Sequence, residues 1–458
     1  MPFFHLIFSL YFTLMKGLFR LAVIITLMLP AVAQAQGLSI IRDTEIESTL
    51  REWATPVLQA AGLSPDQVQI ILVDSDEINA FVAGGANLFL YAGLIERADY
   101  PEEVIGVMAH EVGHIQGGHL IETRRAMERA TYQSILSAVA GIGAAIATGD
   151  GGAATAISLG GSGAAQRGFF SHSRTQESSA DQAALRYMES AQMNPQGLVT
   201  FLQKLEGQEL LPVSQQSEYM RTHPLTRDRI GAMQSGAQRS PYVTELGISP
   251  KQQEFDFIRA KLRAFRQPNM VPRYYNIDSG QDIDMYAHAI MRYRKKDYDG
   301  ALQLLDNLLV KDKNNADFLE LKAQTLRDSG RLSEAEEAYR KTLETVKGEA
   351  PLIKVDLAQV LIEQHKSDRE AENLLFSALQ DDRHEISAYR LLATVRGRQG
   401  KEADAQYFLA EEAVATGRKQ EANRLLAMAM HENRLSADIR TKARDLKIYL
   451  DSLPGNDK

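Results

Sequence analysis

The chain has 458 residues, enough for two or three domains and an ample core. Its 51 basic and 59 acidic residues give a net charge of −8, which argues against nucleic acid as the main partner. There is no cysteine, so disulfides, a lipoprotein anchor and thiolate zinc ligands are all excluded.

Residues 1–35 read as a signal peptide. Lys16 and Arg20 precede the apolar run from Leu21 to Leu29, and Ala33-Gln34-Ala35 offers a small-x-small cleavage site. Met15-Lys16-Gly17-Leu18-Phe19-Arg20 makes an ordinary signal-peptide opening, so translation is expected to start at Met15. An uncleaved anchor is the alternative, although the apolar run is short for a transmembrane helix. Cleavage leaves 49 basic and 59 acidic residues, a charge of −10. Export without cysteine suits the periplasm of a Gram-negative bacterium, where oxidation is available but optional.

His110-Glu111-Val112-Gly113-His114 carries the chemistry. On a helix, positions four apart share a face, so both imidazoles can point a nitrogen at one ion. Glu111 emerges beside them, placed to polarise a water without being a ligand, which is the HExxH zinc-protease arrangement. The flanks favour a helix: Pro101-Glu102-Glu103 gives an acidic first turn, and Val104, Ile105, Val107 and Met108 an apolar face. A metzincin would place its third histidine six positions after the second, following a glycine. Gly117 is present, but the sixth position is Leu120 and His119 falls one residue short, so that subclass fails.

Residues 135–168 are rich in Gly, Ala and Ile, with Asp150 and Arg167 the only charges. Two readings stand: a helical hairpin packed closely on the core, or a segment in peripheral contact with a membrane or covering the active site. Beyond it, Glu177-Ser178-Ser179-Ala180-Asp181 lies in a helical stretch and offers a glutamate as third ligand. Asp181 shares its face and either orients a ligand histidine through the free N–H or hands on a proton. Further on, Thr222-His223-Pro224-Leu225-Thr226-Arg227-Asp228-Arg229-Ile230 places a histidine before a proline. Alone, that marks a turn before a helix. His223 remains open between a fourth metal ligand that closes the site, an oxyanion stabiliser and a structural turn residue.

In this order, HExxH, ExxxD and HPxxxxRI resemble the membrane-associated zinc endopeptidases that include the prenyl-protein protease and the heat-shock protease of bacterial membranes. Ile78 to Gly85, followed by Leu88 to Leu94, resembles the strand pair those enzymes carry ahead of the metal helix. The resemblance covers about residues 45 to 235. It implies an α+β zincin-like metalloprotease domain holding one Zn²⁺ per chain on His110, His114 and Glu177. Glu111 becomes the base, Asp181 a proton donor or a partner of a ligand, and His223 the family's histidine that approaches the metal. The strand from Ile78 to Val82, with Ile78, Asn79, Ala80 and Phe81, is expected to pair with extended substrate by strand addition.

From about residue 256 the chain turns helical and repetitive. Ala323, Gly330 and Ala335 recur as Ala393, Gly400 and Ala405 and as Ala410, Gly417 and Ala422. Ala289, Lys296 and Ala301 lie 34 residues ahead of the first set, and Ala358, His365 and Ala371 nearly match it. A 34-residue period with small residues at helix crossings is the tetratricopeptide signature, and such repeats stack into a curved solenoid that binds partners. The close spacing of Ala393 and Ala410 predicts one helix shared between successive pairs. The expected organisation is a signal peptide at 1–35, a zinc metalloprotease domain at 36–255 and an all-α tetratricopeptide solenoid at 256–458.

With the repeats, the resemblance narrows to a periplasmic branch of the family. It implies unfolded or misassembled outer-membrane proteins as clients, and the outer-membrane assembly machinery as partner of the repeats. The other class of function is a chaperone or scaffold for such proteins with little or latent proteolysis. Glu111→Gln separates the two, since it removes hydrolysis and leaves client binding.

Overall fold

The computed structural model describes residues 39–83, 86–119, 174–431 and 434–452. The signal peptide, Gly84 and Gly85 of the strand pair, and the segment 135–168 lie outside the described residues. No helix among the described residues is long and apolar enough to cross a membrane.

A four-stranded sheet forms the frame of the N-terminal part, in the order β1 (Ile40–Ile41), β2 (Gln69–Val73), β4 (Asn87–Tyr91) and β3 (Ala80–Ala83). β2 runs parallel to β4, and β3 pairs antiparallel with it, Phe81 opposite Phe89. β3 is therefore an edge strand. Period two governs its faces: Ala80 and Val82 are buried while Phe81 stacks on Phe89 at 4.8 Å on the other side. The strand starts two residues later than the sequence suggests. Asn79 accepts the amide of Tyr91 and Ile78 that of Tyr219, both at 3.1 Å.

Helices cover this sheet. α1 (Thr44–Ala60) starts at Asp43, whose side chain accepts from the amide of Ile46, and it buries Trp53 at the centre of the first core. After the short α2 (Ala92–Arg97) comes α3 (Pro101–Gln116), buried on all sides from Pro101 to His114. Such a helix must lie at the middle of its domain, and its neighbours are α4 (Arg174–Ser190) and α5 (Gln196–Leu205). The crossing with α4 is close: a Cβ on Gly113 would stand 2.9 Å from the carbonyl oxygen of Ala180. α6 (Glu218–Thr222) and α7 (Arg227–Ala237) follow, the latter capped by Thr226.

α8 (Gln252–Arg266) faces two ways. Phe255, Ile258 and Leu262 join the first core, whereas Ala260 and Ala264 pack with Tyr286 and Phe318 of the C-terminal region. The boundary expected at 255/256 thus falls within one helix that both regions use. Near it, the Lys261 ammonium is buried against Asp43 (2.8 Å) and Glu45 (3.0 Å), and Tyr286 donates to Glu45. Thr44 donates to Glu320.

After the short α9 (Val271–Tyr274), the chain is a series of antiparallel helix pairs. They are α10 (Asp282–Arg294) with α11 (Tyr298–Lys311), α12 (Ala316–Asp328) with α13 (Leu332–Thr345), and α14 (Pro351–Glu363) with α15 (Asp368–Asp381). Next come α16 (Ile386–Arg398) with α17 (Glu402–Ala415), then α18 (Lys419–Met430) and α19 (Ala437–Ser452). The first helices of the pairs start every 34 to 35 residues, as the small-residue spacing predicts. α17 packs on both α16 and α18, so it is the shared helix expected from Ala393 and Ala410. Ala289, Ala323, Ala358, Ala301, Ala335 and Ala371 are all buried where helices cross. The architecture is an α+β N-terminal domain followed by a helical repeat solenoid.

The turn between paired helices needs a left-handed residue. Gly330 (φ 80°) and Gly400 (φ 72°) supply it at no steric cost. Lys296 (φ 62°) and His365 (φ 52°) hold the corresponding position without that freedom.

Candidate metal centre

α3 and α4 cross with their small faces together, and the functional side chains meet there. One helical turn separates His110 from His114, and their Nε2 atoms lie 3.1 Å apart. From α4, Glu177 sets Oε2 3.4 Å from His110 Nε2 and Oε1 3.3 Å from His114 Nε2. His223, at the C-terminal end of α6, brings Nδ1 to 3.1 Å from Glu177 Oε1 and 3.4 Å from His110 Nε2. All four side chains are buried, and one ligand atom from each lies within 4.8 Å of the others.

These separations suit a metal. Donors at 2.0 to 2.1 Å from a tetrahedral zinc stand about 3.3 Å from one another. Without an ion, four buried polar groups at such spacing would be costly to hold together. The donor set, three imidazoles and a carboxylate with no thiolate, is of the kind zinc accepts.

Glu111 is buried beside the cluster with neither carboxylate oxygen hydrogen-bonded among the described residues. Burial pushes its carboxyl up, opposed by the charges of His223 and His110. His223 Nε2 lies 3.5 Å from Glu111 Oε1.

Asp181 sits behind His110, its Oδ1 2.9 Å from the ring's far nitrogen Nδ1. Burial alone would raise its pKa, but bonds from His110 and Arg229 outweigh that and hold the carboxyl below its ordinary value. Arg229 donates to both Asp181 oxygens, Nε to Oδ2 at 2.7 Å and Nη2 to Oδ1 at 2.9 Å. Its Nη1 donates to the Pro224 carbonyl at 2.8 Å and lies 2.9 Å from Glu177 Oε2.

The structure thus gathers His110, Glu111, His114, Glu177, Asp181 and His223 in one buried cluster. Ile78, Asn79, Ala80 and Phe81 lie on or just before the edge strand β3, which packs on α3. Three further residues have no role assigned from sequence alone. Arg229 stands in HPxxxxRI, and its position there was the available signal. Tyr219 stacks on His223 with ring centroids 4.6 Å apart, its buried hydroxyl without a hydrogen-bond partner among the described residues. His119 puts Nδ1 2.9 Å from Nδ1 of His114.

Residues 41–237 match peptidase family M48. The chain is 29% identical to the beta-barrel assembly-enhancing protease of Yersinia pestis over 371 residues, 78% of this chain and 74% of the relative. It is 26% identical to the protein of that name from Escherichia coli (strain K12) over 378 residues, 80% and 75% of the two chains. Among solved structures, MamA (MSR-1 C2) aligns with 37% of the chain and 96% of its own, at 16% identity and a TM-score of 0.31. A likeness that slight carries no weight for function.

Proposed function

We propose, from the premise that residues 41–237 are a peptidase family M48 domain, that this chain is an exported zinc endopeptidase of the periplasm. Its proposed clients are misassembled outer-membrane β-barrel proteins. The observation that carries the reading is the buried set of His110, His114, Glu177 and His223, with one ligand atom from each within 4.8 Å of the others, and beside it the Glu111 carboxylate, which accepts no hydrogen bond among the described residues. The names of the relatives support the client class, and the export signal at 1–35 supports the compartment.

His110 Nε2, His114 Nε2 and a Glu177 oxygen would hold the metal. Bound there, zinc supplies a Lewis acid that polarises the scissile carbonyl and acidifies water. Glu111 receives the proton of the attacking water at a carboxylate oxygen and delivers it to the leaving amine. Asp181 Oδ1, 2.9 Å from His110 Nδ1, would favour the proton on that nitrogen and so keep the ligating lone pair on Nε2. With Arg229 bound to both of its oxygens, Asp181 suits this orienting role better than that of a proton donor.

The edge strand gives substrate a place. Asn79 turns its carbonyl to Tyr91 of β4, so by strand alternation Ala80 and Val82 present their main-chain groups to the open side. An extended segment pairing there would gain main-chain hydrogen bonds with little demand on sequence. The repeats would present clients to this edge.

A second reading, a chaperone or scaffold with latent proteolysis, is favoured by one observation: His223 Nδ1 already stands 3.1 Å from Glu177 Oε1 and 3.4 Å from His110 Nε2. One experiment addresses both. The mature chain is analysed for metal and assayed on casein, with and without chelator, beside Glu111→Gln. The endopeptidase reading expects one zinc per chain, chelator-sensitive hydrolysis, and a Glu111→Gln form that keeps zinc but not activity. Zinc-free, chelator-insensitive protein would overturn it. Zinc without hydrolysis, alongside retained client binding, would leave the scaffold.

A further inference from the structure

The geometry points to His119 as a positioning residue that fixes the tautomer and ring orientation of His114. This rests on the reading of His114 as a metal ligand. His114 turns Nε2 to the cluster, 3.1 Å from His110 Nε2 and 3.3 Å from Glu177 Oε1. Its other nitrogen, Nδ1, lies 2.9 Å from Nδ1 of His119. Both rings are buried, with centroids 5.0 Å apart at 74°.

Two imidazole nitrogens at that distance need one donor and one acceptor. If His114 is to offer a lone pair at Nε2, its proton must sit on Nδ1. His114 Nδ1–H then donates, His119 Nδ1 accepts, and the proton of His119 sits on Nε2. With His114 ligating through Nε2, a His119 that accepts at Nδ1 holds the His114 proton on its far nitrogen. His110 obtains the same service from Asp181. The centre is thus supported by a carboxylate behind one histidine and a neutral imidazole behind the other.

The local sequence is built for this contact. α3 ends at Gln116, and Gly118 (φ 64°) reverses the chain in a conformation that favours glycine. The His119 ring then folds back over Gly117. A Cβ on Gly117 would stand 2.5 Å from His119 Nε2, so a larger residue there would displace the ring. The run Gln116-Gly117-Gly118-His119 reverses the backbone so that the His119 ring meets the far nitrogen of His114.

The test uses the full mature chain and zinc alone, with dissociation constants from chelator competition and fold checked by circular dichroism and thermal melting. His119→Leu and His119→Phe remove the acceptor, and two variants are made so that loss of fold in one leaves the other. His119→Asn restores an acceptor, its Oδ1 standing near the place of Nδ1. The expected result is zinc binding roughly 10- to 100-fold weaker in the Leu and Phe variants, and within about threefold of wild type in Asn. Wild-type affinity in the folded Leu or Phe variant, or an Asn variant as weak as they are, overturns the inference. His114→Ala is the control for the underlying reading. If it keeps full zinc affinity, the ligand assignment fails, a result distinct from either outcome at His119.

Discussion

Arg229 grips Asp181 with two parallel hydrogen bonds, at 2.7 and 2.9 Å, in a site from which both side chains are nearly excluded from water. The same guanidinium reaches Glu177 and the Pro224 carbonyl, so one cation ties α4, α7 and the turn holding His223 together. Truncation would leave two buried carboxylates without their counter-charge. Arg229→Ala is expected to cost about 3 to 5 kcal/mol of stability. Arg229→Lys should recover only part, since a point charge cannot match the fork. Urea unfolding of the chelator-treated chain measures both. A loss below about 1 kcal/mol for the alanine variant would contradict the role.

That contact also marks where sequence stops being legible. His110, Glu111 and His114 could be read because helical spacing alone puts them on one turn, and Glu177 with Asp181 because the same rule repeats. The repeats could be read because small residues must recur where helices cross. Arg229 could not be assigned, since its partner is 48 residues away and only the folded crossing of α4 and α7 joins them. The start of β3 was misplaced for a similar reason: Ile78 has a strand-like sequence, but its carbonyl is taken by Tyr219 from a distant helix. α8 hid its two allegiances because its second contact is made by two small residues, Ala260 and Ala264, beside the larger Phe255, Ile258 and Leu262 of the first core.

Lys296 and His365 hold left-handed backbone where the other repeats use glycine. A side chain in that region costs about 1 to 2 kcal/mol, while glycine loses somewhat more backbone entropy on folding. The net for Lys296→Gly and for His365→Gly is a gain of roughly 0.5 to 1 kcal/mol each. The sites are well separated, so the double variant should be additive. Thermal melting reads this, and a lower melting temperature in both single variants would show that the turns are relaxed by contacts of Lys296 and His365 themselves.

The junction should weaken as pH rises. Burial pushes the Glu320 carboxyl up to about 8, with Lys261 opposing and Asp43 adding to the shift. Its ordinary value is 4.5, so between roughly pH 4.5 and 8 the folded form holds a proton that the unfolded chain has lost. Stability therefore falls with rising pH across that window and levels off above it. Glu320→Gln keeps the group neutral and should make the profile shallower, with its advantage over wild type largest above pH 8. Glu45 and Asp317, whose carboxyls burial also pushes up, keep the rest of the slope. Melting curves from pH 5 to 9 give the comparison. Parallel profiles for the two proteins would assign the pH dependence to other groups.

The proposed latch at His223 makes a prediction about basal activity. Its Nδ1 lies at the spacing of a fourth ligand, and Pro224 with the Arg229 bond to its carbonyl fixes the turn that aims it. Three donors remain when it is removed, so His223→Ala should still hold zinc. If the latch is closed nine-tenths of the time, opening it raises basal casein hydrolysis roughly tenfold, because the competent fraction rises by that factor. Loss of hydrolysis with zinc retained would instead assign His223 to the developing oxyanion. Wild-type metal content and wild-type rate together would leave it only the structural turn.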